Sequence, residues 1–299
     1  IPTPLPTRPP RPTATVEPRP IYLPSAMAGV AAKPQALPAR IVGQLPAAAL
    51  GGGELLDLVA ADDRAWLAAG EGLTGAVVAV DLANAAAPRV AGRARLPAWP
   101  HGLARSGDRL YAALWREGIQ ALDVSGAAPT AAEAIAAPLW PLRLAAAPGR
   151  LVATGALPGD VGRLGLAVVG AAGAPVAGAY GRLALNAAGT RAFVADGAGG
   201  LRAFRIDAAG VPTDEGGLAQ VGAVDVALAG GDPGRLALLH RGDGLRAGGL
   251  LVVDVADAPR RVGAWAAQDA LRGLDLQRVA LDADARCAWL TDRTTLMAV

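Results

Sequence analysis

The chain has 299 residues, a formal net charge of +2, a pI near 9.1, one cysteine and 53% hydrophobic residues. That length supports a substantial core. A lone cysteine excludes a disulfide framework, and so small a net charge gives no basic stripe, which argues against nucleic acid or an anionic membrane as the main partner.

Residues 1–38 form a different polymer from the rest. The stretch IPTPLPTRPPRPTATVEPRPIYLP, mixed with threonine and arginine, favours polyproline II and cannot bury a core. It reads as an extended arm or linker, with Ile21, Tyr22 and Leu23 as the apolar residues best able to dock on a protein partner or a second copy of the chain. The start at Ile1 without a methionine fits a mature product of an exported precursor. About a quarter of the residues are alanine and Lys33 is the sole lysine, a bias that reflects genomic composition more than function.

After Arg40 the sequence repeats. DRAWLAA, DRLYAAL, GRLVATG, TRAFVAD, GRLALLH and ARCAWLT align on arginines 64, 109, 150, 191, 235 and 286, spaced by 45, 41, 41, 44 and 51 residues. Each arginine follows a turn of Gly, Asp or Asn type and precedes a short apolar strand. A further strand ends in Asp81, Asp123, Asp207 or Asp254, an acid expected to cap the following turn, whereas the third unit reads LGLAVVG without it. The outermost strands come from PRVAGRARL, APVAGAY and PRRVGAWAA, and no helical periodicity is sustained. The uncharged run Leu164–Gly181 is interrupted by glycines and Pro175, so it reads as strand, turn, strand rather than as a membrane span.

Four short strands per unit predict an all-β fold, a six-bladed β-propeller over residues 39–299. An aspartate equivalent to Asp123 would fall just past Val299, so the last unit lacks its outer strand, and ARIVGQLP (39–46) resembles PRVAGRARLP (88–97). Pairing of these N-terminal and C-terminal strands is therefore expected to close the ring and remove open sheet edges.

The elements VVAVDLANAAAPRVAG, GLRAFRID and LLVVDVADAPRRVG resemble the LVIVD-repeat family of bacterial β-propellers, over about 260 residues. The resemblance implies an extracellular or cell-surface bacterial protein and specifies blades, not chemistry. The Pro/Thr arm likewise resembles spacers that follow signal or anchor segments in exported proteins.

Propellers bind ligands at the channel mouth, where the innermost strands begin. Counting back from each repeat arginine gives Asp57, His101, Arg143, Arg182, Asp225 and Arg278, a mixed ring suited to an anion or a sugar acid or, alternatively, a solvated channel of offsetting charges. Of the two histidines His240 belongs to a different strand position, and His101 alone is too few for ordinary zinc coordination; neither a nucleophile elbow nor a P-loop lysine is present, so no catalytic set, metal or cofactor is expected. Trp99, Trp140 and Tyr180 recur 41 and 40 residues apart in the connections between blades, either packed between blades or displayed as a platform. Cys287, beside Trp289, reads as a small buried hydrophobe. The leading expectation is an exported structural or interaction protein, assembled into an array or filament through its arm. The alternatives are a cell-surface binding module for a glycan or protein, and a lactonase-like enzyme centred on His101, Asp57 and Asp225.

Overall fold

The computed structural model describes residues 50–51, 54–61, 63–84, 87–219, 222–228, 234–241, 249–266, 277–281, 288–291 and 296–298. The arm with Ile21, Tyr22 and Leu23, the segment 39–46 and Cys287 lie outside the described residues. Five four-stranded antiparallel sheets follow one another along the chain. The first contains β1 (Glu54–Ala61), β2 (Arg64–Glu71), β3 (Thr74–Asp81) and β4 (Arg89–Leu96). The second contains β5 (Gly102–Ser106), β6 (Arg109–Ala113), β7 (Ile119–Asp123) and β8 (Thr130–Ile135). The third has β9 (Trp140–Ala147), β10 (Arg150–Leu157), β11 (Asp160–Val168) and β12 (Val176–Ala177), and the fourth β13 (Arg182–Leu185), β14 (Arg191–Ala195), β15 (Leu201–Ile206) and β16 (Pro212–Leu218). The fifth is β17 (Ala223–Leu228), β18 (Arg235–His240), β19 (Gly249–Asp254) and β20 (Arg260–Ala266). A three-stranded sheet, β21 (Arg278–Leu281), β22 (Ala288–Thr291) and β23 (Leu296–Ala298), comes last. Helix among the described residues amounts to little beyond a three-residue 3₁₀ turn, Trp115–Glu117.

Strands pair in sequence order because each is joined to the next by a short turn, so every sheet is a meander. Leu164–Gly181 is the expected strand, turn and strand, carried by β11 and β12. The first strands of successive sheets lie side by side, β1 beside β5, then β9, β13, β17 and β21. The middle strands of the second to fifth sheets are apolar on both faces because each of these sheets lies between two others. Trp66, Val77, Leu110 and Leu122 fill the space between the first two sheets, and Phe193, Leu201, Leu236 and Val253 that between the fourth and fifth. Ala68, Ala76, Ala112, Ala121, Ala153, Ala192, Ala203 and Ala237 are fully buried in these middle strands. Much of the alanine is therefore packing material, whose small volume lets neighbouring sheets approach closely.

Both repeat signatures have a structural job. Asp81, Asp123 and Asp254 accept the backbone N–H two residues on, at 2.9, 2.9 and 3.0 Å, and Asp207 accepts that of Val211 at 2.8 Å. These bonds hold the first three carboxyls below the usual carboxylate range: the Ala83 amide acts on Asp81, the Ser125 hydroxyl and amide on Asp123, and the Ala256 amide on Asp254. The turns so shaped present carbonyls to the repeat arginine of the preceding sheet. Arg64 donates to Gly126 O at 2.5 Å, Arg150 to Asp207 O at 3.2 Å, and Arg191 to Val255 O, Ala256 O and, at 2.9 Å, Asp257 O. These three arginines thus clamp the next sheet's turn.

The exception follows from the sequence. The third unit lacks the aspartate, and Arg109, which would reach it, instead meets Glu133 of its own sheet at 3.6 Å. Replacing Arg191 with alanine is expected to cost about 2–3 kcal/mol, since several charge-assisted bonds to carbonyls go at once. Arg109→Ala should cost under about 1 kcal/mol, because its ion pair is half-exposed. Denaturant midpoints of the two variants make the comparison, and equal losses would refute the clamp.

Candidate functional site at the channel mouth

The ring residues share one ladder position. Asp57 pairs with Ala68, Arg143 with Thr154, Arg182 with Ala195 and Asp225 with Leu239, and the His101 amide bonds the carbonyl of Ala113. Each of these partners stands four residues after its sheet's repeat arginine. Arg278 pairs with Thr291 at the same end of the last sheet. In β1, β9 and β17 a register shift falls just before or at the charged residue, with Leu56, Leu142 and Val224 as the extra residues. A bulge at this point bends the strand and re-aims the following side chain. Three sheets thus use the same device to turn Asp57, Arg143 and Asp225 toward the axis.

Asp57 is the hub. Its side chain is 7% exposed and pairs with Arg278, with Arg182 at 3.6 Å, and with the amides of Leu58 at 2.9 Å and Leu103 at 3.0 Å. Arg278 also reaches Leu56 O at 3.5 Å, so β21 of the last sheet is joined to β1 of the first. Asp225 does similar work: its carboxyl accepts the amides of Val226 at 2.9 Å and Val279 at 3.0 Å, linking β17 to β21. Burial is the largest influence on that carboxyl and outweighs the two amides; with the nearby charge of Asp57 it is pushed up to about 8. Asp225 is therefore mostly protonated at neutral pH. Arg278 is lowered from its usual value chiefly by burial, though a guanidinium keeps its charge in proteins.

Arg143 donates through one nitrogen to His101 O and to Leu142 O at 3.1 Å. His101 is half-buried, and burial, with the charge of Arg143, lowers its imidazole below the ordinary value, which keeps it neutral at pH 7. Its ring lies 6.2 Å from that of Trp115, which lies 5.8 Å from Trp140, and the Arg116 guanidinium covers Trp140 at 4.8 Å. The backbone of β9 comes close to β10 here because Gly155, which pairs with Pro141, has no side chain: a Cβ there would stand 1.9 Å from Trp140 O. The spacing of Trp99, Trp140 and Tyr180 leaves both packing and display open, and the structure divides them. Trp99 is half-buried on Gly70 with its indole N–H on Gly72 O at 2.8 Å, Trp140 is half-buried in the stack, and Tyr180 is 36% exposed.

The ring read from the sequence is thus gathered at one end of the sheets. Two of its acids are committed to backbone amides, and one of these also to guanidinium pairs. Trp115 and Arg116 have no counterpart at the 41-residue spacing; they sit in the β6–β7 connection, where the first and third sheets turn tightly through Gly72 and Gly159, so a departure from the repeat was their only signal. No group of three or more His, Cys, Asp or Glu side chains able to hold a metal gathers among the described residues. A cleft of about 730 Å³ lies at the opposite end of the fourth and fifth sheets, where Arg191 and Arg205 both pair with Glu215.

No family model matches the chain, and no curated protein matches it. Solved structures do. The β-propeller domain of Cps50 (Swd1) from Myceliophteria thermophila is 12% identical, with 82% of this chain and 83% of that one covered and a TM-score of 0.58. A protein from Lactobacillus plantarum is 15% identical over 81% and 79% of the chains, with a TM-score of 0.54. A chain of the Mitotic Checkpoint Complex is 10% identical over 83% and 77%, with a TM-score of 0.58. Sheet order, inner-strand contacts and these likenesses define the fold as a β-propeller. No helix among the described residues is long and apolar enough to cross a membrane.

Proposed function

We propose that the chain is a non-catalytic interaction propeller of the LVIVD-repeat kind, exported to the bacterial cell surface and assembled with a protein partner or further copies of itself through its Pro-rich arm. The observation that carries this reading is the use of the mouth acids. Asp57 and Asp225 spend their oxygens on amides and guanidinium groups that join sheets, which suits a rigid scaffold and not proton transfer. A chain of a named protein complex, the Mitotic Checkpoint Complex, also stands among the solved neighbours. The rest of the reading concerns closure: a sixth blade completed when 39–46 pairs with the edge strand β23. Its support is the likeness of ARIVGQLP to the outer strand of the first sheet and the Arg278–Asp57 link between first and last sheets.

The test compares the full chain with chains beginning at Ala39 and at Ala47, by mass photometry and thermal unfolding. Loss of oligomers on removing 1–38, with an unchanged Tm, is the expected result. Further removal of 39–46 should lower Tm by roughly 10 °C or more, since it opens a sheet edge. A monomeric full chain overturns assembly through the arm, and an unchanged Tm on removing 39–46 overturns the closure.

A further inference from the structure

Trp115 is the only residue other than glycine with a positive φ, +55°, among the described residues. For a bulky side chain that is an outlier, and glycine would hold the same backbone freely. The indole does not repay this by filling a core, since it is half-buried in a surface turn. What it does is complete a row of rings, His101, Trp115 and Trp140, at the channel mouth. Two guanidinium groups adjoin that row. Arg116 is exposed over Trp140 and has no carboxylate partner among the described residues. Arg143 bonds only the two carbonyls through one nitrogen, which leaves its remaining guanidinium edge without a protein partner among the described residues. Indole faces take up the C–H face of a sugar ring, and a guanidinium edge without a carboxylate of its own matches one in two parallel hydrogen bonds.

We infer that this rim, formed by Trp115, Trp140, Arg116 and Arg143, binds acidic carbohydrate, a uronic-acid unit whose ring stacks on the indoles and whose carboxylate meets the arginines. The inference goes beyond assembly through the arm and stands on different residues, so the two fail separately: one is read from particle mass, the other from titration.

The experiment is isothermal titration of the full chain with oligogalacturonate and with the same oligosaccharide fully methyl-esterified, which keeps the rings and removes the charge. The free acid should bind at least about tenfold more tightly than the ester, with an affinity that falls as salt is raised. Trp115→Gly should abolish binding while leaving Tm at or above that of the parent, because glycine relieves the backbone. Arg116→Ala, an exposed change, should weaken binding about fivefold or more with no effect on Tm, and it decides the matter should Trp115→Gly fold poorly. Absence of binding to both oligosaccharides, equal binding of acid and ester, or undiminished binding by Trp115→Gly overturns the inference.

Discussion

Asp57→Ala is expected to lose about 3–5 kcal/mol of stability, the largest loss from any single side chain at the mouth. The reason is what it leaves behind. Arg278 and Arg182, with side chains 26% and 17% exposed, would keep their charges in a restricted channel with no carboxylate opposite, and the Leu103 amide would lose its acceptor. Removing one member of a largely buried pair costs this much because the remaining charge stays desolvated. For a domain of this size the loss corresponds to a Tm lower by roughly 10 °C. A double variant separates the charge from the packing: with Arg278→Leu added, one orphaned cation disappears, so Asp57→Ala/Arg278→Leu should be more stable than the sum of the single losses predicts. Strict additivity in denaturant melts would show that the pair is not coupled and that Asp57 acts only through its amide bonds.

The same residues show what a sequence can and cannot disclose about such a fold. The repeat arginines were legible because they recur in a fixed place before an apolar strand, and counting back from them found Asp57, His101, Arg143, Arg182, Asp225 and Arg278, which strand pairing places at one end of the sheets. Register carries this information, since a strand's period of two and a constant turn length transmit position from one sheet to the next. What the repeat does not encode is which atoms meet. That Asp57 joins its own sheet to three others depends on the bulge at Leu56, as the placing of Arg143 and Asp225 depends on those at Leu142 and Val224, and an inserted residue in an apolar strand has no mark of its own in an alanine-rich sequence. The role of the arginines as clamps was hidden for a similar reason: their acceptors are backbone carbonyls, which every residue possesses. Trp115 breaks the pattern instead of repeating it, so a search by spacing passes over it.

Asp225 should make the stability of the protein fall as pH rises from about 4 to about 8. Its carboxyl titrates near 3.8 when exposed and is pushed up to about 8 in the fold, chiefly by burial. Between those values the native state holds a proton that the unfolded chain has released, so stability is fully present below the lower value and is lost as pH climbs through the upper one. At about 1.4 kcal/mol per unit, the change is of the order of several kcal/mol. The groups that face it are Asp57 from β1 and Arg143 from β9, with Arg278 from β21 and Arg182 from β13 meeting it through Asp57. Asp225→Asn isolates the contribution. The amide keeps one acceptor for the two backbone N–H groups, so the variant should be about 1–3 kcal/mol less stable at pH 5. It has no proton to lose, however, so the difference should shrink as pH rises and vanish or reverse by pH 9. Urea titrations at pH 5, 7 and 9 provide the comparison, and parallel curves for the two proteins would refute a protonated Asp225. The consequence reaches the mouth itself. While Asp225 is neutral, the three ring arginines face one carboxylate, an excess of positive charge that suits an anion, and ionisation of Asp225 above about pH 8 should weaken any anionic ligand held there.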